Sequence, residues 1–205
     1  YLAAFSRGYG PGTMVLDLPA EGDEVTTGNF RGPVRMRNAL AAGLDMAEQR
    51  TYVLAGSQNV ILIAREMGID LPGELVSQPE AAGSRSPAEV SLVSLTTALG
   101  VLANEGRWVG EADGDDPIAP LSILRIEDTQ GTLLSAASPE SRALVSAPLA
   151  YLMNDVLSDE TGLREAYGAA EVLGIGRPAA VVLDAQPDGG DFWSVGYTRE
   201  RAVGV

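Results

Sequence analysis

The 205 residues contain no lysine, no histidine and no cysteine. Those absences exclude much chemistry. A Ser-His-Asp triad, a thiolate nucleophile, a lysine Schiff base and a zinc site built on His or Cys cannot be assembled from this chain alone. The missing cysteine leaves the redox compartment open, because disulfides are optional at this size. Lysine is absent, so all basic charge is arginine: 14 basic against 28 acidic residues, a formal net charge of −14. Nucleic acid and anionic membrane are both held through basic patches, so neither is expected as a direct partner. No apolar run approaches the roughly 20 residues that span a bilayer, and no secretory leader is visible. The chain starts at Tyr1 and stops inside a predicted strand, which suggests a piece of something longer, with any membrane anchor outside it.

What is present reads as one globular unit. Hydrophobic residues make up 45% and charged residues 20%, enough apolar side chain to build a core at this length. The most informative stretch is the last thirty residues. Ala179 to Leu183 is a short valine-rich run that predicts a buried strand. Pro187-Asp-Gly-Gly190 is turn chemistry. Phe192 to Tyr197 is aromatic and β-branched and predicts a second strand; Arg199-Glu200 marks a tight turn, and Ala202 to Val205 begins a third. Consecutive hairpins make an antiparallel meander.

Upstream, Tyr1 to Phe5 reads as a helix end, and Gly8 to Asp17 as an extended entry. Residues 19–32 read as a polar loop. Gly32-Pro33 is expected to open a helix, with Val34, Leu40 and Leu44 at helical spacing. Ser57-Gln-Asn59 reads as the N-cap of a second helix, Val60 to Met67. Residues 71–85 read as a loop, and Ser86-Pro-Ala-Glu89 as a capping box for a strongly apolar helix ending near Asn104. Residues 106–117 read as an acidic loop. Leu121 to Leu134 forms a small hairpin around Asp128-Thr-Gln-Gly131. Ser146 caps a helix through Leu157, and Thr161 to Tyr167 suggests a further short one. Helices first and antiparallel strands last define an α+β class, with helices packed on a sheet.

Several of these segments, in order, resemble the transpeptidase domain of class A penicillin-binding proteins. Arg177-Pro-Ala-Ala-Val181 and Trp193-Ser-Val-Gly-Tyr-Thr198 are similar to the stretch around that family's Lys-Thr-Gly motif. Gly32-Pro-Val-Arg-Met-Arg-Asn-Ala-Leu-Ala41 resembles the approach to its Ser-x-Asn motif. Asn59 to Ile69, Glu89 to Gly106, Ile123 to Gly131 and Ala150 to Asp159 resemble its intervening helices and hairpin. The resemblance implies a penicillin-binding-protein/serine β-lactamase-like fold, with the active site between sheet and helical lobe. Residues 1–205 would then be one partial transpeptidase-like domain, completed by strands outside the chain. It also implies a parent protein with a membrane anchor and a family 51 glycosyltransferase domain, placed outside the cytoplasm on peptidoglycan or other cell-wall components.

The motif positions themselves depart from the family. The acylating Ser-x-x-Lys would precede Tyr1. Ser-x-Asn falls on Gly43-Leu44-Asp45, and Lys-Thr-Gly on Val182-Leu183-Asp184, followed by Ala185. In the family these motifs move protons and bind the substrate carboxylate. Here a cation has left that site and an anion has entered. Two charges about 5 Å apart at an effective dielectric near 20 interact by roughly 3 kcal/mol, so binding of D-Ala-D-Ala termini should be suppressed. The resemblance therefore implies a catalytically degenerate domain, with no intact catalytic residue and no cofactor. Two alternatives stand beside it: an active D,D-transpeptidase working through an upstream serine, and a cation- or glycan-binding module in the old cleft.

Lesser features carry weaker expectations. Asp45 and Asp184 would both face the cleft, either as a cation-binding or acid–base pair or as separately solvated carboxylates. Ser57-Gln-Asn59 is a literal Ser-x-Asn that reads better as a helix cap. Glu111 with Asp113-Gly-Asp-Asp116 could form a calcium loop but lacks EF-hand spacing, which favours a solvated acidic loop. Trp108, Trp193 and Tyr197 read as packing residues.

Overall fold

The structure, a computed structural model, describes residues 1–19, 30–69, 71, 90–113, 116–167, 175–185 and 192–205. Seven helices and ten strands are described: α1 (Leu2–Ser6), β1 (Met14–Asp17), β2 (Gly32–Arg35), α2 (Met36–Ala42), α3 (Asp45–Ala55), α4 (Ser57–Glu66), α5 (Leu92–Ala103), β3 (Arg107–Asp113), β4 (Asp116–Ala119), β5 (Arg125–Glu127), β6 (Leu133–Ala136), β7 (Glu140–Ala143), α6 (Ala147–Leu157), α7 (Glu160–Tyr167), β8 (Ala180–Ala185), β9 (Phe192–Tyr197) and β10 (Ala202–Gly204).

The apolar sequence Leu-Val-Ser-Leu-Thr-Thr-Ala-Leu-Gly-Val-Leu-Ala makes α5 the central helix. A helix apolar all round has to be enclosed, and α5 packs on β9 and β10, on α6 and on β3. Ala98, Leu99, Val101 and Leu102 are buried in it. Ser91 caps it, its hydroxyl accepting from the Ser94 N–H at 3.1 Å. The C-terminal strands form the predicted meander, in the order β10-β9-β8, all antiparallel. Ala180, Val195 and Tyr197 are buried on the face turned to the helices, and Trp193 shares their alternation.

The opposite face of that sheet is also apolar. Val181 and Leu183 of β8, Phe192 of β9, and Val203 and Val205 at the other edge alternate onto it. Phe192 is 61% exposed, Val203 57% and Val205 76%. Gly196 and Ser194 leave its centre nearly bare of side chain.

Several expectations change. Gly32–Arg35 is a strand paired with β1, Leu16 opposite Pro33. Proline is tolerated there because it sits on an edge, and the helix starts only at Met36. The helical spacing through Leu44 breaks at Gly43, which takes a left-handed C-cap (φ 59°, ψ 46°). The Leu44 N–H then reaches back to the Ala39 carbonyl at 3.1 Å, the closing bond of a Schellman-type end. A separate helix, α3, follows. Ser57 lies inside α4, whose N-cap is Gly56 with no side-chain bond. The described residues of 106–117 do not form the expected loop: they hold β3 and the start of β4, with Asp113 opposite Asp116. Aromatic and β-branched Trp108-Val109 outweigh the flanking glycines and acids, because β3 also pairs with β7. The predicted hairpin is β5–β6. Ser146 precedes α6 without a side-chain cap bond. The loop 72–85 and the capping box 86–89 lie outside the described residues.

Candidate functional site

The first motif segment occupies the α2–α3 corner. Gly43 makes the turn, Leu44 packs against the core cluster, and Asp45 is the first residue of α3. A carboxylate in a helix's first turn meets the positive end of the helix dipole, so Asp45 has a structural role in this position. The second segment is the middle of β8. Val182 is half-buried and packed on the same core cluster as Leu44. In register Val182 faces Val195, Leu183 faces Ser194, Asp184 faces Trp193 and Ala185 faces Phe192. The Asp184 and Ala185 side chains lie outside what the structure describes, so a carboxylate pair between Asp45 and Asp184 is untested. Among the described residues no group of three His, Cys, Asp or Glu side chains could hold a metal ion. In the candidate calcium loop Asp113 and Asp116 are paired strand positions, and residues 114–115 lie outside the described set.

Gly43 decides what a restored motif would meet. A non-glycine residue in left-handed conformation is strained by about 1 kcal/mol. Gly43→Ser, which returns the family's first hydroxyl, is expected to lower stability by about that amount in urea denaturation.

The residues around the site are structural and polar. Asn59 of the literal Ser-Gln-Asn donates to the Ala3 carbonyl at 2.9 Å and to the Ser6 hydroxyl at 3.2 Å, tying α4 to α1. Its amide is thus spent on packing two helices. Trp108 is buried at 4% exposure, beneath the Arg142 guanidinium 5.8 Å from its ring centroid, so it packs rather than presenting a platform. Tyr1 was not singled out by sequence, yet its phenol is buried beside Thr51, Glu48 and Asp17. Burial pushes its ionisation up, with the Glu48 charge adding to the effect.

The polar link between helical lobe and sheet is Asn154 of α6. Its amide donates to the Leu102 carbonyl at 2.9 Å, and its carbonyl accepts from the Tyr197 hydroxyl at 2.8 Å. Burial pushes the Tyr197 phenol up as well. A small cavity of about 120 Å³ opens beside this pair, lined also by Ser158, Ala180 and Thr198. It lies at the start of β8, two residues from Val182.

An α5-centred helical lobe on an antiparallel meander is the fold of penicillin-binding-protein transpeptidase domains. Penicillin-binding protein A from Mycobacterium tuberculosis, solved as an imipenem acyl-enzyme complex, matches the whole chain and 51% of that structure, with a TM-score of 0.75 and 14% identity. The sequence homologues are class A penicillin-binding proteins. Penicillin-binding protein 1A of Rickettsia bellii is 25% identical over 230 aligned residues, all of this chain and 28% of that protein. Penicillin-binding protein 2D of Bacillus subtilis is 24% identical over 223, again all of this chain and 30% of that protein. No protein-family model matches. The chain thus has the fold of penicillin-binding-protein transpeptidase domains and is similar along its whole length to penicillin-binding proteins, spanning less than a third of the length of these curated relatives. Among the described residues no helix is long and apolar enough to cross a membrane.

Proposed function

We propose that residues 1–205 are part of the transpeptidase half of a bifunctional peptidoglycan synthase, and that this half no longer transpeptidates. The parent would carry a family 51 glycosyltransferase and a membrane anchor, and would work on the outer side of the cytoplasmic membrane. The remaining role of this domain is structural: it supports the glycosyltransferase half or docks a cell-wall component. The observation that carries the reading is Val182. It stands where the resemblance requires a lysine, and its side chain packs against the hydrophobic core instead of supplying a cation to a substrate carboxylate. Gly43 removes the hydroxyl at the other motif position, and the αL turn there disfavours its return.

The test is intact mass of the full-length protein after incubation with a penicillin. No adduct is expected from folded protein. A stoichiometric gain of one penicillin would show that a serine outside these residues still acylates, and the reading would be overturned in favour of a working transpeptidase.

A further inference from the structure

Helix α7 rests on α2. Among its described side chains Leu163 is buried, while Glu160, Thr161, Arg164 and Glu165 are exposed. The approach is close: a Cβ added to Gly162 would stand 2.8 Å from the Ala41 Cβ. A single carboxylate fastens the N-terminal end. Asp159 Oδ1 accepts from the backbone N–H groups of Thr161 at 3.0 Å and Gly162 at 3.4 Å, so it caps α7. Its Oδ2 accepts from the Arg37 guanidinium of α2 at 2.9 Å. The same guanidinium nitrogen reaches Asp155 of α6 at 3.4 Å. Arg37 from α2 and Asp155 from α6 are the charged groups facing Asp159 across the contact, and Glu160 adjoins it on its own helix.

We propose that α7 is a strap that docks on α2 and undocks as a unit, with the Asp159 carboxylate as its latch. An element with few buried apolar contacts opens locally at a free energy below global unfolding, and among the described side chains of α7 only Leu163 is buried. Here one anion supplies both the helix cap and the tether, so neutralising it weakens both together. The inference is independent of whether the domain has lost its activity. It concerns α2, the helix that ends at the Gly43 corner, and so couples that corner to α7. Burial alone would raise the Asp159 carboxyl. The Arg37 hydrogen bond, the Gly162 and Thr161 amides and the Arg37 charge outweigh it and hold the group below its usual range. A depressed carboxylate contributes its full stabilisation above the unfolded value near 3.9 and loses it as pH falls through the folded value.

Hydrogen exchange across residues 160–167 of the full-length protein tests this. Asp159→Asn keeps a capping side chain but removes the charge, and is expected to speed exchange of the α7 amides by roughly tenfold, with α5 and α6 unchanged. Arg37→Met should do the same if the Asp159 variant folds poorly. In the wild type, α7 protection corrected for intrinsic rates should fall between pH 5 and pH 3, and in Asp159→Asn it should not. Protection of α7 equal to wild type in both variants, or α7 exchanging in step with α5 and α6, would overturn the proposal.

Discussion

Gly106→Ala should be severely destabilising. Gly106 has φ +83°, and a Cβ there would run into the backbone oxygen of Val145. Backbone cannot swing aside as a flexible side chain can. The surrounding bonds fix it further. The Gly106 N–H donates to the Val101 carbonyl at 2.9 Å, and its carbonyl accepts from Leu144 at 3.0 Å and Val145 at 3.1 Å. These bonds join the end of the central helix to the segment entering α6. Adding left-handed strain to forced backbone displacement, the loss is expected to exceed about 3 kcal/mol, enough to unfold a domain of ordinary stability. Gly131→Ala is the control. Its φ is +81°, but nothing stands within 4 Å, so only the conformational strain of about 1 kcal/mol remains. Denaturation midpoints that move equally in the two variants would show that the close approach to Val145 is unimportant.

Asn154→Leu is the second large effect. The leucine matches the side chain in size but leaves the buried Tyr197 hydroxyl without its acceptor and strips one of two donors from the Leu102 carbonyl, which still accepts from the Glu105 N–H at 3.2 Å. An orphaned buried group costs about 1–3 kcal/mol, so the loss should lie in that range. Tyr197→Phe in the same background removes the orphaned hydroxyl and is expected to recover part of the loss. In wild type, Tyr197→Phe alone should cost about 1 kcal/mol. A double-mutant cycle in which the two changes simply add would show that the hydroxyl and the amide do not act as a pair.

Much of this arrangement is readable from sequence where side-chain period and turn chemistry agree. Trp193-Ser-Val-Gly-Tyr197 alternates, the turn after it is sharp, and the meander follows. The largely apolar stretch from Leu92 to Ala103 marks the central helix. The reading fails where tertiary pairing overrides local signals. Gly32-Pro33 resembles a helix start, yet β1 supplies a partner and makes it a strand. Gly110 to Asp113 has loop composition, but β4 and β7 recruit it into a sheet. A left-handed Gly43 turns one apparent helical stripe into two helices. The candidate site is legible only by resemblance. Nothing in the local pattern of Val182-Leu183-Asp184 distinguishes a motif position from any other buried strand. Asn154 looks like an ordinary polar residue of an amphipathic helix and Asp159 like an ordinary helix cap, because Leu102, Tyr197 and Arg37 are far away in sequence.

The meander's two apolar faces have a practical consequence at the bench. A sheet with valines, a leucine and a phenylalanine turned away from its helices offers greasy surface in the correctly folded state. Wherever that face lies uncovered, a preparation of this chain should light up an environment-sensitive hydrophobic dye and tend to precipitate near neutral net charge, around the low pH where its excess of carboxylates is titrated. Dye binding is therefore a poor proxy for misfolding in this domain. Exchange protection of α5, enclosed on several sides by other elements, is the sounder gauge of native structure.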